Sequence, residues 1–296
     1  MNAIKAIGFI GIGNMGAPMA ANLVRAGYDV TAYDAAPGRA QHFAKTHNAR
    51  ATDSLAALGP GADLIITMLP SGREVREALL EAADGALVRN LRAGACVIDM
   101  SSADPVGTRK LGAELAARKI ELVDAPVSGG VPRATDGTLS IMIGGAAGTI
   151  AAVKPVLAKM GGKLFEVGGL GCGHAMKALN NFLAGTSFAA ASEALRVGHT
   201  FGLDPAVMID VINVSTGRSF PTDLVMKQHV LSGTFATGFA LGLLAKDVKI
   251  AADLASQVGA DAPIGRMISD LWAEARDAIG PEQDHSRAAE HWGWKS

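Results

Sequence analysis

The stretch "IGFIGIGNMGAPMAANLVRAG" (7–27) constrains the fold of this chain more than any other. An apolar, β-branched run stops at Gly11 and gives way to a segment of helical period, with Gly11, Gly13 and Gly16 in G-x-G-x-x-G spacing. A strand, a turn and a helix in that order call for glycine three times. One permits the tight turn, one lets backbone approach a pyrophosphate, and one lets the helix sit close to the strand. The helix start then offers free N–H groups and a positive dipole end to the phosphates. The next apolar run, "DVTAY" (29–33), leads into Asp34, about 20 residues on, where an acid accepts hydrogen bonds from adenosine ribose hydroxyls. The candidate cofactor cradle is therefore Gly11, Ile12, Gly13, Asn14, Met15 and Gly16, with Asp34 on the ribose. An acid repels a 2′-phosphate, and Ala35 follows it in place of a basic residue. The reading is NAD(H), with NADP(H) the lesser alternative and Arg39 the residue in its favour.

From the N-terminus to about residue 165, strand-like runs alternate with helix-length stretches. The runs are "AIGFIGI" (6–12), "DVTAY" (29–33), "LIITML" (64–69), "CVIDM" (96–100), "ELVDAP" (121–126) and "LSIMIGG" (139–145); helical stretches include residues 15–26, 73–82 and 105–118. Near-continuous apolar strands separated by helices predict a parallel sheet covered on both faces, a doubly wound α/β domain. Past "FEVGGLGCG" (165–173) the chain reads as helices only, over about 174–201, from Asp204 and Pro205 onward as cap and first turn, and over 242–258 and 264–279. The expected division is a Rossmann-type domain over 1–165 and an all-helical domain over 166–296.

Composition narrows the partners. With 19% charged residues and a formal net charge of −1, the chain has neither a nucleic-acid footprint nor the make-up of a disordered protein. No apolar stretch reaches the roughly 20 residues that span a bilayer, and "MNAIKAIGFIGIGNMG" lacks the features of a secretory signal. Two cysteines, Cys96 and Cys172, make no disulfide framework, and the histidines form no metal-binding arrangement. The expectation is a cytoplasmic protein with a small-molecule partner and no catalytic metal.

"GCGHAMKALNN" (171–181) places Lys177 between a glycine turn and two asparagines, ahead of "FLAGTSFAAASEAL". A helix apolar around most of its circumference predicts burial on most sides. Burial moves a lysine toward the protonation range of a general acid or base. Lys177 and Asn181, four residues apart, share a helix face, whereas Asn180 reads equally well as a surface residue. "DAPVSGG" (124–130) follows a strand end, where ligands of open α/β sheets sit. There the Ser128 hydroxyl and the N–H groups of Gly129 and Gly130 can meet a carboxylate.

Taken together, "GFIGIGNMGAPMAANL" (8–23), "DAPVSGG", "GCGHAMKALNN" and "AKDVKIA" (245–251) resemble the motifs of the β-hydroxyacid dehydrogenase family, which includes 3-hydroxyisobutyrate dehydrogenases and tartronate semialdehyde reductases. The resemblance spans essentially the whole chain. It implies a Rossmann-type domain joined by a long helix to an all-helical domain, with the active site in the cleft between them. It assigns the proton-transfer role to Lys177, with Asn181 orienting the substrate hydroxyl or the lysine. Ser128, Gly129 and Gly130 then hold the acid end of the substrate. Lys246 adds a cation, counted with both the substrate- and cofactor-binding residues, and Asp247 is its neighbour for a pair or cap. "TMLPS" (67–71) and "DMSSADP" (99–105) resemble the family's cofactor loops, implicating Leu69, Pro70 and Ser102, the last where the family often has threonine. Self-association as a homodimer or homotetramer is implied as well.

The leading expectation is hydride transfer between NAD(H) and a short β-hydroxyacid or its semialdehyde. Reduction of other small anionic aldehydes (succinate semialdehyde, glyoxylate, sulfolactaldehyde) and a non-catalytic cofactor-binding role are the alternatives. In an imine-reducing relative the lysine at 177 would be replaced. Arg218 in "STGRSFPTD" is a candidate reader of a second polar group, and "DHSRAAEHWGWKS" (284–296), with His285, His291, Trp292 and Trp294, a candidate final helix at a subunit interface.

Overall fold

A computed structural model describes residues 4–81 and 87–294 and divides into two compact units, Met1–Lys177 and Ala178–Ser296. In the first unit, β1 (Ala6–Ile10), β2 (Asp29–Tyr33), β3 (Arg50–Ala51), β4 (Leu64–Thr67), β5 (Cys96–Asp99) and β6 (Glu121–Asp124) pair in parallel in the order β3-β2-β1-β4-β5-β6. The register carries Phe9 to Ile66, Ile66 to Ile98 and Ile98 to Val123. These side chains form one core with Met19 and Leu23 of helix α1 (Gly16–Arg25) and with Ile150 and Val153. Alternate residues Ile10, Ile65 and Val97 point the other way, into a second core with Leu58, Val75, Leu79 and Leu111. Strand residues face opposite sides of a sheet in turn, so covering both sides makes each strand apolar throughout.

The sheet is not wholly parallel. After β6 the chain makes β7 (Val127–Ser128), a short helix Gly130–Asp136 and β8 (Leu139–Gly144), which runs antiparallel to both β6 and β7. Only residues 129–138 separate β7 from β8, fewer than the dozen or more a parallel crossover needs, so the chain returns in the opposite sense. β9 (Gly161–Gly168) then adds in parallel to β8. Three strands are absent from the sequence reading. β3 and β7 have two residues each, too few to show a period, and β9 is exposed along most of its length. β9 also continues past residue 165, where composition changes. Of the stretch expected as helix over 73–82, residues 72–76 are α-helical and 77–81 continue as a π-helical turn; Ala82 lies outside the described residues.

α7 (Cys172–Phe201) begins in the first unit and supplies the opening helix of the second. Among its buried positions Ala178, Asn181, Gly185, Phe188, Ser192 and Leu195 recur at helical spacing as a stripe, which Ala189 and Ala191 widen. Met176, Leu179, Leu183, Val197 and Phe201 are exposed, so the helix is not buried on most sides. Around the stripe pack α8 (Pro205–Asn213), the helical segment Thr222–Val230, α9 (Leu241–Gln257) and α10 (Pro263–Ile279). Asp204 caps α8 by accepting from the N–H groups of Ala206 and Val207. Trp272 is fully buried against Phe188, its indole N–H donating to the Gly185 carbonyl; truncation to alanine there costs about 3–5 kcal/mol.

The segment from Asp284, a candidate for a subunit contact, folds back on its own unit, with His291 exposed. Its side chains His285, Trp292 and Trp294 join the core of their own unit. Asp284 holds the bend by accepting from Gly238 N, Ser286 N and the Thr237 hydroxyl. Residues 295–296 lie outside the description. Among the described residues no helix is long and apolar enough to cross a membrane.

Candidate active site

The three glycines at the head of α1 differ in what surrounds them. Gly11 has φ +96°, a region L side chains avoid, and a Cβ there would enter the Met68 carbonyl. A Cβ on Gly16 would strike the Gly11 carbonyl. A Cβ on Gly13 meets no protein atom, so nothing in the fold obliges Gly13 to be bare. The N-terminus of α1 has no side-chain cap and no acid in its first turn. Beside it lies a pocket of about 450 Å³ lined by Ile12, Gly13, Asn14, Ala17 and Arg39. A pyrophosphate accounts for all three features, since it needs close backbone approach, a helix start not capped by a side chain and no competing carboxylate.

Asp34 stands at the end of β2 with its side chain almost buried. One carboxylate oxygen accepts from Ile12 N and the other from Ala36 N, each at 2.8 Å. Arg39 donates to the same carboxylate at 3.1 Å from a half-exposed position. The loops after β4 and β5 are tied together. Leu69 N donates to Ser101 Oγ (2.9 Å), and Asp99 Oδ1 accepts from Ser101 N (3.0 Å) and from the Thr67 hydroxyl (2.9 Å). Pro70 is exposed and Ser102 half-buried on these loops.

The start of α7 is held from outside the helix. Asp124, fully buried at the end of β6, accepts from Gly171 N on one oxygen and His174 N on the other, both at 2.8 Å. Burial pushes its carboxyl above the usual range. Gly144 and Gly173 make room for that carboxylate, since a Cβ at either would run into it. The buried ring of His174 meets Thr108 Oγ at 2.8 Å, with Asp99 Oδ2 3.8 Å from its other nitrogen. One turn later comes Lys177, half-buried. Ser128 ends β7, and Gly129 (φ +136°) and Gly130 (φ +65°) turn the chain into the following helix through conformations reserved for glycine.

Within the helical unit, Asn181 Nδ2 donates to Asp247 Oδ2 at 2.7 Å, Lys246 Nζ stands 2.9 Å from Asp247 Oδ1, and Asn180 Nδ2 reaches Asn181 Oδ1 at 3.1 Å. "AKDVKIA" and "ALNN" are thus brought into contact through Asp247, which sequence reasoning named only as a neighbour of Lys246. Asp124 and His174 were not singled out at all, although the glycines flanking Cys172 are the local sign that another group closes on this turn. Arg218 is exposed and paired with Asp223. Cys96 is buried, which pushes its thiol up to about 12 and removes it as a nucleophile.

The bare glycine and the uncapped helix start define a dinucleotide-binding protein, and comparison with known proteins agrees. Residues 6–169 match the family model for the NAD binding domain of 6-phosphogluconate dehydrogenase, and residues 171–292 match that for the NAD-binding domain of NADP-dependent 3-hydroxyisobutyrate dehydrogenase. A 3-hydroxyisobutyrate dehydrogenase of Pseudomonas aeruginosa is 39% identical over 90% of this chain and 91% of its own. The 2-(hydroxymethyl)glutarate dehydrogenase of Eubacterium barkeri is 34% identical over 97% and 94%. The structure of Mycobacterium tuberculosis 3-hydroxyisobutyrate dehydrogenase with L-serine superposes with a TM-score of 0.88 at 32% identity, covering 98% of this chain and all of that one. The chain belongs to the β-hydroxyacid dehydrogenase family, as an NAD-binding oxidoreductase acting on the CH–OH group of a hydroxyacid.

Proposed function

We propose that this enzyme interconverts a 2-substituted 3-hydroxypropanoate and its semialdehyde, with NAD(H) preferred. The three named relatives support the substrate class. 3-Hydroxyisobutyrate, 2-(hydroxymethyl)glutarate and L-serine all carry a hydroxymethyl group on the carbon next to a carboxylate, and differ only in the third substituent. The shared part requires an anion site and a proton-transfer group at a fixed spacing.

When bound, the nicotinamide supplies the hydride in reduction and takes it in oxidation. In reduction the Lys177 ammonium donates its proton to the carbonyl oxygen as charge develops there; in oxidation the neutral amine takes that proton from the hydroxyl. Asn181 lies four residues on along the same face of α7. Its amide N–H is given to buried Asp247, and its carbonyl oxygen, which accepts from Asn180 on one lone pair, has the other to orient a hydroxyl or the Lys177 ammonium. Ser128 and the N–H groups of Gly129 and Gly130 receive the carboxylate, with Lys246 as the supporting cation. The cofactor lies along Gly11, Ile12, Gly13, Asn14, Met15 and Gly16, with its ribose on Asp34 and its nicotinamide side near Leu69, Pro70, Ser102 and Lys246.

The observation that supports the reading is the four-residue spacing of Lys177 and Asn181 on α7, with the Asn181 amide fixed by a buried acid. It is tested by initial rates with NADH across methylmalonate, tartronate and succinate semialdehydes, glyoxylate and sulfolactaldehyde, for wild type and Lys177→Ala. Turnover of the first two, with a loss of about 10²–10⁴ in kcat in Lys177→Ala and NADH binding retained, is the expected result. A Lys177→Ala enzyme of near wild-type activity would refute the assignment. Preference for one of the other three aldehydes would move the substrate to a different small anion. Copies are inferred to associate, as a homodimer or homotetramer, through apolar side chains exposed on the helical unit, among them Phe201 (85%) and Val214 (87%), since clustered exposed apolar surface marks interaction sites.

A further inference from the structure

α7 has no side-chain cap of its own sequence at its first turn; the chain enters it through Gly171, Cys172 and Gly173. The four N-terminal N–H groups of a helix need acceptors, and two here go to the carboxylate of Asp124, brought in by β6. A second contact is equally specific. The Thr108 hydroxyl, on the helix Pro105–Ala116, is also within reach of the Asp104 carbonyl (3.0 Å). The 2.8 Å contact between Thr108 Oγ and His174 Nδ1 is a hydrogen bond in which the tautomer of the imidazole sets which partner donates. The backbone of His174 is bound to one strand end, and its ring to a neighbouring helix. Both partners are buried, where a hydrogen bond is not exchanged for water.

We propose that His174, clamped by Asp124 and Thr108, is a positioning residue for Lys177. His174 and Lys177 are one turn apart on a continuous helix, so fixing the backbone at 174 fixes the point from which the lysine side chain departs. The ring also lies against Asp99, whose carboxylate organises the loops carrying Leu69 and Ser101. The clamp thereby refers the lysine and those loops to the same two strand ends. Geometry is what such a residue supplies, and a displacement of about 1 Å costs on the order of 10²-fold in rate.

This inference rests on Lys177 as the proton-transfer group, and the test separates the two. His174→Leu keeps an apolar bulk but no hydrogen-bonding group, His174→Asn keeps one close to the Nδ1 position, and Thr108→Val removes the hydroxyl. Expected are kcat values lowered by about ten- to hundredfold in His174→Leu and Thr108→Val, with KM and NADH affinity little changed and kcat largely restored in His174→Asn. Amide exchange over residues 171–177, measured without substrate by mass spectrometry, should quicken in the first two variants while exchange in β4 and β5 holds. Wild-type kcat in a folded His174→Leu enzyme would overturn the proposal, as would equal impairment of the Leu and Asn variants. So would unchanged exchange over 171–177. An active Lys177→Ala enzyme would instead defeat the proton-transfer reading, leaving the exchange result to decide the clamp by itself.

Discussion

Asn181 Nδ2 donates to Asp247 Oδ2 across 2.7 Å, and both residues are buried. The same carboxylate faces Lys246, so one acid orients an amide and pairs a cation. Asp247→Ala leaves Asn181 without its acceptor and is expected to lower kcat/KM by at least about tenfold, roughly 1.4 kcal/mol of transition-state stabilisation. Asp247→Asn retains an oxygen for the Asn181 amide and should lose less. Steady-state kinetics of the two variants decide the matter, since equal losses would mean that the hydrogen bond to Asn181 is not what matters.

Asp34, the proposed ribose ligand, is not free to swing away. Its oxygens are engaged by Ile12 N and Ala36 N, so a 2′-phosphate would meet a fixed negative charge. kcat/KM with NADH should therefore exceed that with NADPH. Asp34→Ser is expected to shift the ratio toward NADPH by about tenfold or more, the equivalent of 1.4 kcal/mol. Arg39, already beside Asp34, supplies whatever NADPH use remains, and Arg39→Ala should reduce it selectively. Equal efficiency with the two cofactors in the wild type would contradict the preference.

The glycine spacing and the strand positions were legible in the sequence because they follow from local rules. Gly11 needs a positive φ, and Leu64, Ile65 and Ile66 are all apolar because both sheet faces are covered. The direction of β8 was not legible, because it depends on the length of a connection whose helix is only seven residues long. Nor was the partner of the α7 turn. Asp124 lies 47 residues before Gly171, and nothing near either residue announces the other. The mostly apolar circumference of α7 misled, since composition cannot tell a side that meets its own core from one that is exposed in the single chain.

That exposed side carries the next prediction. Val197 and Phe201 on α7 are exposed while Leu195, two residues before Val197, is buried, so charge placed at 201 does not disturb the inner core. Phe201→Glu should leave the melting of the helical unit nearly unchanged and lower the molecular mass seen by light scattering, if copies associate through this face. Unchanged mass in the variant would remove Phe201 from any interface.

His285 sets the response of the helical unit to acid. It is largely enclosed by Phe188, Phe239 and Trp272, and this desolvation holds its imidazole below the ordinary value of 6.5, although Asp284 pulls the other way. The folded unit therefore keeps His285 neutral, while the unfolded chain takes up a proton once pH falls below 6.5. The unfolded state binds more protons in that window, so stability rises with pH there. The contribution is complete above 6.5 and is lost as pH falls from 6.5 toward the depressed folded value. All three tryptophans of the chain, Trp272, Trp292 and Trp294, lie in this unit, so their fluorescence follows its unfolding alone. Melting temperatures should fall between pH 7.5 and pH 5.5 in the wild type, and the fall should be smaller in His285→Gln, which cannot titrate. Parallel curves for the two proteins would show that another group governs the acid limb.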